Sequence, residues 1–587
     1  MSGLVLIHSR RAHSGAFSSA IKTGLWKGPP ERAWNRERAL FCARPCGRDA
    51  DASRDMNEEQ EQRTQERERA ELHKTIWGIA DKLRGAVSGW DFKQYVLGTL
   101  FYRFLSEKIA RIADEEQRAA GDTGFFYAAL PDADALAAKD ILVRKLGFFL
   151  RPSHLFSRVH AAAAKDDNLN VTLENVFREI ENSAKGTESE EDFKDVFSAI
   201  DFGDARKLGA TVDKQNKTLR ALLDGVAQMR FGDFRGGAID LFGDAYEFLL
   251  TMYASGAGKS GGEFFTPQEV SRLLARLATR GRTRVSRVYD PACGSGSLLM
   301  QVAKVLGREN VLGGFFGQEK EPTTHNLCRI NLFLHDIDPR KFDIALGDTL
   351  LDPAESHADA EPFDVIVSNP PYSLEWEGDS NPLLVADPRF APAGVLAPKK
   401  AADFAFILHA LSWLAPDGAA AIVCFPGIFY RRGAEQKIRQ YLVDNNYVDA
   451  VIALPSNLFF GVGIATTILV LRKNKRNDTG VLFVDGTREF VKAGNKNKLA
   501  PENIDALFSL YDERRDAPHR ARLVPFEEIA GNGYNLSPST YVEPEDTREE
   551  VDLAALNAEI KAAAARVDAL RAAADAIAAE AAGERGP

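Results

Sequence analysis

Residues 285–299 read VSRVYDPACGSGSLL, an apolar, β-branched run that ends in a glycine turn and passes into helix-forming text. The run has the composition of a buried strand. Gly294 and Gly296 allow the backbone to come close to a ligand, and a helix starting near Ser297 aims free N–H groups and a positive dipole end into the same space. Such a turn suits a nucleotide or a carboxylate. It is not the dinucleotide fingerprint: the third glycine of G-x-G-x-x-G would fall at 299, where leucine stands, and a dehydrogenase is thereby disfavoured.

The same pattern repeats outward from this stretch. After about Phe231 the chain offers GGFFGQEK, FDIALGD, FDVIVSNPPY, AAAIVCFPG, VDAVIALP, ATTILVLRK and then VLFVDG, separated by helical text. Strands alternating with helices predict βαβ units, hence an α/β fold built on a doubly wound, mostly parallel sheet, with ligands at the carboxyl ends of its strands. Upstream, from Glu58 to about Val226, the text is amphipathic and helical, and Trp77, Leu83, Val87, Phe92, Tyr95, Val96, Leu100, Phe104 and Leu105 fall near helical spacing. This predicts an all-α N-terminal domain over 56–226, ahead of a sheet domain over 227–545. Downstream, over 546–587, Leu553, Leu556, Ile560, Ala563, Val567, Leu570, Ala574 and Ile577 follow the 3,4 spacing of a heptad seam. One helix cannot cover such a seam by itself, so it either folds back on its own chain or pairs with another subunit.

The first 55 residues are Arg-rich, with Ser, Gly and Pro and no clear hydrophobic period. A transit peptide is one reading. A start at Met56 is the simpler one, and 1–55 is expected to be a disordered leader or an artefact of start-site choice. With 74 Lys+Arg against 84 Asp+Glu, the net charge of −10 argues against a generally basic nucleic-acid coat; contact with nucleic acid needs a local basic patch or a basic partner. The five cysteines are odd in number and sparse, which suits a reducing cytoplasm, and Cys42 and Cys46 lack a second Cys/His pair for a metal site. No apolar run approaches the ~18 residues of a membrane span. The stretch GAGKS at 256–260 is not a phosphate loop, because the pattern needs glycine at 253, where Tyr253 stands, and no strand precedes it.

Three strand ends carry candidate ligand groups. After the glycine turn, GQEK places the Glu319 carboxylate where such folds present an acceptor for ribose hydroxyls, and GDTL offers Asp348 as an acceptor for an exocyclic amine. A glycine turn with two carboxylates suits a nucleoside bearing a carboxylate arm. A fourth strand, Phe363–Val367, runs straight into Asn369, Pro370, Pro371 and Tyr372, and the prolines end its ladder.

In the order GEFFTP (262–267), DPACGSG (290–296), GQEK, GDTL and NPPY (369–372), these motifs resemble the amino-group methyltransferases, and more narrowly the modification subunit of type I restriction-modification systems. The resemblance covers roughly Glu58 to Leu471. It implies a seven-stranded Rossmann-like methyltransferase sheet and S-adenosylmethionine as cofactor. Phe265 and Thr266, with the loop Asp290, Pro291, Ala292, Cys293, Gly294, Ser295 and Gly296, would then border the cofactor's methionine part, and Glu263, Phe264, Pro267 and Ser297 would belong to the cofactor site as well. Many relatives carry tyrosine where Phe265 stands, so a ring contact carries over and a hydroxyl contact does not. Glu319 would take the ribose hydroxyls and Asp348 the adenine amine.

The resemblance also gives the proline stop a purpose. An adenine N6 amine is a poor nucleophile, and inside duplex DNA it is out of reach until the base is flipped out. Asn369 Oδ1 and the Pro370 carbonyl would accept the two N6–H bonds, Pro371 would stiffen the acceptors, and Tyr372 would stack on the base. The same planar NH2 chemistry serves cytosine N4, RNA amines and the glutamine amide of release factors, and a catalytically dead DNA-binding scaffold is a further class. The helical N-terminal domain and GEFFTP favour the DNA-modifying group. Target choice has no visible domain here; Arg431, Arg432, Lys437 and Arg439, and the RKNKR cluster at 472–476, are candidate phosphate contacts. Relatives place two modification subunits on one specificity subunit and add a restriction subunit for cleavage of double-stranded DNA, with the C-terminal heptad as the candidate docking element.

Overall fold

The eight apolar runs and one further short strand pair into a single sheet in which the strand ends marked by glycine, proline or a carboxylate lie along one edge. A computed structural model of the chain describes residues 71–76, 78, 92–231, 238–256, 266–358, 361–459, 463–475, 480–545 and 553–583. In chain order the strands are β1 (Val285–Asp290), β2 (Val311–Glu319), β3 (Phe342–Leu346), β4 (Phe363–Ser368), β5 (Leu414–Cys424), β6 (Val448–Ala453), β7 (Thr467–Arg472) and β8 (Val481–Asp485). A small hairpin, β9 (Val491–Ala493) with β10 (Lys496–Lys498), precedes β11 (Ala521–Val524). The sheet order is β11-β8-β6-β7-β5-β4-β1-β2-β3.

The strands β5-β4-β1-β2-β3 pair in parallel, β7 runs antiparallel between β5 and β6, β8 is parallel to β6, and β11 closes the edge antiparallel to β8. The seven strands expected are all present, and β8 and β11 extend them. Valine, isoleucine and alanine fill both faces of β4 to β7, whose residues are almost all buried, as central strands covered on both faces require.

The helical segment is built on α1 (Phe92–Ala119), α2 (Leu169–Ser183) and α3 (Val212–Gln228), the last capped by Thr211, whose hydroxyl accepts the Lys214 N–H. Tyr95, Val96, Leu100, Phe104 and Leu105 are buried as their spacing predicts, whereas Trp77, Leu83 and Val87 lie outside the described residues. Residues 1–55, the proposed leader, also lie outside them.

The helical segment packs against the sheet domain through one shared hydrophobic core. The shared wall is a further helix, which follows α4 (Ala238–Gly256), α5 (Gln268–Ala278) and α6 (Ser297–Leu306) in the chain. This helix, α7 (Pro322–Leu334), is buried at every position from Thr324 onward. Phe333 on α7 meets Phe101 of α1 with ring centroids 5.6 Å apart. Arg329 donates to the carbonyls of Glu191 at 2.6 Å and Lys194 at 2.9 Å, and Asn326 to that of Asp195 at 2.7 Å. A polar helix that is buried all round needs such partners, and here the helical segment supplies them.

Described residues up to Val542 form one compact unit, and those from Glu543 a second. The second unit holds one helix, α11 (Leu553–Gly583), numbered after α8 (Asp403–Trp413), α9 (Ala434–Asp444) and α10 (Pro501–Glu513). Along α11 Leu553, Leu556, Ile560, Val567, Leu570 and Ile577 are all exposed. No described helix is long and apolar enough to cross a membrane.

One buried ionic group ties the helices behind the site together. Glu247 on α4 is 1% exposed; its Oε2 accepts from Lys304 Nζ of α6 at 3.0 Å and from Gln268 Nε2 of α5 at 2.7 Å, and His335 stands 3.5 Å from Oε1. Burial alone would raise the Glu247 carboxyl, but Lys304 and His335 hold it down to about 2. Its stabilising contribution is therefore fully present above the ordinary glutamate range and is lost as pH falls toward that value. Glu247→Gln is expected to cost about 1–3 kcal/mol in urea unfolding at neutral pH, with the difference from the natural chain shrinking in acid; equal stability at neutral pH would show that the group is not structural.

Candidate active site

Asp290 ends β1 with its carboxylate completely buried, and it closes the turn that follows: Oδ1 accepts the Ala292 N–H at 3.0 Å. Burial pushes the group up to about 7, against the opposing pull of the Ala292 N–H and the Ser368 hydroxyl. Past Pro291, Ala292 and Cys293 the chain turns through Gly294 (φ +55) and Gly296 (φ +77), both left-handed, and Gly296 caps α6. A side chain fits badly at Gly296, where a Cβ would sit 2.7 Å from Cys328 Sγ on α7. The same packing buries Cys293 and Cys328 and raises the Cys293 thiol, chiefly through its hydrogen bond with Cys328 and then through burial. Ser295 and Ser297 are buried too; the Ser295 carbonyl accepts from Asn331 Nδ2 at 2.9 Å, and Ser297 Oγ has no partner.

Neighbouring strand ends are tied to this loop. Glu319 is half-buried at the end of β2; Oε2 accepts the Gly294 N–H at 3.0 Å and Oε1 the Glu321 N–H at 2.9 Å. Burial raises its carboxyl and these backbone donors oppose the rise. Beyond β3, Asp348 is half-buried, with Oδ1 on the Leu350 N–H at 3.0 Å and Oδ2 paired to Lys320 at 2.9 Å. The next residue, Thr349, donates to the Pro291 carbonyl at 2.6 Å, joining the β3 turn to the glycine loop. Arg389, from the long segment after β4, then clamps that turn by donating to the Thr349 carbonyl at 2.7 Å and the Leu350 carbonyl at 2.8 Å.

At the end of β4, beside β1, Asn369 is half-exposed and Pro370 is buried. Both ends of the Asn369 carboxamide are engaged: Nδ2 donates to Thr266 Oγ1 at 3.1 Å, and Oδ1 accepts from the Tyr372 hydroxyl at 2.6 Å. Burial, then the nearby Cys424 and Asp403, pushes the Tyr372 phenol well above its ordinary value, so it remains a donor at neutral pH. Ser373 follows with φ +53, and its N–H reaches Asp403 Oδ2 at 3.1 Å at the start of α8.

The structure thus brings together Thr266, residues 290–297, Glu319, Asp348 and Asn369–Tyr372. Pro267 caps the start of α5, its carbonyl accepting the Ser271 N–H. Glu263, Phe264 and Phe265 lie outside the described residues. A cleft of about 1220 Å³ lined by Pro267, Gln301, Lys304 and Leu458 flanks α6, but Asn369, Glu319 and Asp348 are not among its walls. Sequence reasoning missed Thr349, Arg389 and Asp403; Thr349 stands inside GDTL, whereas no motif flags Arg389 or Asp403. Among the described residues no cluster of His, Cys, Asp or Glu is arranged for a metal ion.

This geometry can be set against known proteins. The N-6 DNA methylase family model matches residues 237–550, and the HsdM N-terminal domain model matches 72–226. The MpnII methylase subunit of a type I restriction enzyme, from Mycoplasma pneumoniae, is 47% identical over 513 residues, spanning 85% of this chain and 93% of that one. The chain belongs to the methylase subunits of type I restriction-modification systems. A type I methyltransferase subunit from Streptococcus thermophilus has the same fold, with a TM-score of 0.72 and 34% identity, covering 81% of this chain and all of that one. The EcoKI methylase subunit of Escherichia coli is 25% identical over 59% of this chain and 64% of its own. The reaction of this methylase family is adenine-specific N6 methylation of DNA, and a methyltransferase of this kind implies S-adenosylmethionine as donor.

Gly296 carries the clearest test of the loop. Gly296→Ala places a side chain in the left-handed region, at about 1–2 kcal/mol, and against a fully buried thiol. The expected outcome is weaker S-adenosylmethionine binding by calorimetry with a small fall in melting temperature; unchanged affinity would remove the loop from the cofactor site.

Proposed function

We propose that the ends of β1 to β4 form the methyl-transfer site and that each residue keeps a distinct task. The glycine loop 290–297, with Glu263, Phe264, Phe265, Thr266 and Pro267, holds the methionine part of S-adenosylmethionine, Glu319 the ribose hydroxyls and Asp348 the adenine amine. The residues suit this ligand: the left-handed turn at Gly296 has no room for a side chain, and two half-buried carboxylates stand on the adjoining strand ends. The bound cofactor supplies a methyl group on a positively charged sulfur.

The observation that carries the proposal is the Asn369 carboxamide, half-exposed at the end of β4 with Nδ2 already committed to Thr266. Its oxygen has two lone pairs; Tyr372 uses one, and the other is left for an N6–H of a flipped adenine. The Pro370 carbonyl accepts the second N6–H. Together the two acceptors draw the nitrogen toward tetrahedral geometry and steady the positive charge that grows on it. Because a proline follows each acceptor or supplies it, the geometry is set before the base arrives. Tyr372 offers its ring to the base while its hydroxyl stays on Asn369. No side chain has to remove the proton before transfer; it leaves afterwards.

Target choice comes from outside the chain. We assign the subunit to a cytoplasmic complex of two modification subunits on one specificity subunit, joined by a restriction subunit for cleavage and acting on double-stranded DNA. The net charge of −10 fits a chain that relies on a partner to grip DNA. The uncovered seam of α11 fits a helix that docks on helical parts of the specificity subunit.

Three experiments test this reading. Co-expression with the specificity subunit encoded beside it, in a methylation-free host, is expected to leave N6-methyladenine at a split recognition motif. Asn369→Ala is expected to abolish the modification while cofactor affinity persists. Loss of cofactor binding of similar size would make Asn369 structural, and a soluble cofactor-binding complex without DNA modification would move the substrate to protein glutamine or RNA. Deleting 551–587 is expected to end copurification with the specificity subunit; unchanged copurification would remove α11 from that interface.

A further inference from the structure

A carboxamide has two ends of almost the same shape and opposite hydrogen-bond character. Turned one way, Asn369 offers an acceptor to the target amine; turned the other, it sets NH2 against NH2 and transfer stops. Something must choose. Both neighbours of the group are hydroxyls, Thr266 at 3.1 Å from Nδ2 and Tyr372 at 2.6 Å from Oδ1, and a hydroxyl can give or take a hydrogen bond. The direction of this pair of bonds is therefore settled only by what else the hydroxyl protons do.

Thr266 is well placed to settle it. It is 7% exposed and sits immediately before α5, whose first turn is pinned by the Ser271 N–H on the Pro267 carbonyl at 3.0 Å and by Gln268 on buried Glu247. The residue is thus anchored to the α4-α5-α6 frame, not to the mobile parts of a substrate. Asn369 lies 103 residues further along the chain, just past the end of β4. The bond between them links the segment preceding α5 directly to the acceptor for the target base.

We propose that Thr266 is the positioning residue of the reaction: its oxygen accepts the Asn369 Nδ2–H and holds Oδ1 toward the target amine. Its own proton goes to the carboxylate of the bound methyl donor. With that proton committed to an anion, the oxygen can only accept, and the carboxamide has one orientation left. Donor binding then favours capture of the extruded base through a hydroxyl that never touches the base. The inference rests on the functional reading given above, which places Thr266 at the cofactor but gives it no part in orienting Asn369.

The test uses the complex with the specificity subunit and a target duplex carrying 2-aminopurine in place of the target adenine, with S-adenosylhomocysteine as a non-reactive ligand that keeps the carboxylate. Thr266→Val, Thr266→Ala and Thr266→Ser are compared for S-adenosylhomocysteine affinity, for the ligand-induced rise in 2-aminopurine fluorescence at saturation, and for kcat with saturating S-adenosylmethionine. Removing the hydroxyl is expected to lower kcat by about 30-fold or more and to abolish the ligand-induced fluorescence rise, while affinity falls by no more than about tenfold. Thr266→Ser is expected to restore both signals to within about threefold. Valine and alanine variants with normal kcat at saturation would make Thr266 a cofactor-binding residue only and overturn the proposal. Failure of serine to rescue would do the same by assigning the effect to the lost methyl group. If instead the natural complex methylates no adenine at all, the functional reading falls and takes this inference with it, a result separable from variants that merely match a working enzyme.

Discussion

Parallel pairing of β4, β1, β2 and β3 is the constraint from which the site follows. Parallel neighbours must all point the same way, so whatever residues end these strands share one edge of the sheet. Here the ends are Asn369, Asp290, Glu319 and the turn holding Asp348. Side chains far apart in sequence then reach each other without long loops: the Gly294 N–H lies on Glu319, Thr349 on Pro291, and Asn369 on Thr266. The antiparallel β7 breaks the pattern at the other half of the sheet, beyond the strands that carry these groups.

The edge would be of little use if it moved, and the layers behind it are built to prevent that. α7 is enclosed between β2 and the helical segment, with Arg329 and Asn326 bonded to carbonyls of the latter. α5 and α6 are tied to α4 through Glu247. From the front, Arg389 clamps the turn after β3, and Asp403 holds the residue that follows Tyr372. The glycine loop and the proline stop are therefore gripped from both sides, which is the preorganisation that the methyl-transfer role proposed for them requires.

Much of this was legible in the sequence, for reasons that differ by element. β1 to β8 were readable because β-branched runs ending in Gly, Pro or a carboxylate are local signals. β11 was missed because ARLV is four residues long and looks like loop text. The helical character of 92–228 was readable from periodicity, whereas its sharing of a core with α7 was not, because the Phe101–Phe333 contact spans chain segments that no period connects. The site residues were recognisable as motifs in order. Their mutual bonds were not: nothing local in FFTP or NPPY says that Thr266 holds Asn369, or that the Tyr372 hydroxyl rests on the oxygen its ring was expected merely to stand beside.

The bare seam of α11 has a meaning for the life of the protein in a cell. Six large aliphatic side chains facing water along one helix form a surface that other apolar surfaces will cover, wanted or not. On the docking role proposed for it, a subunit made in excess of its partner would carry that surface uncovered, open to proteases and to sticking between surplus copies. Synthesis matched to that of the partner, from a shared message or by rapid removal of orphans, is the arrangement such a helix calls for.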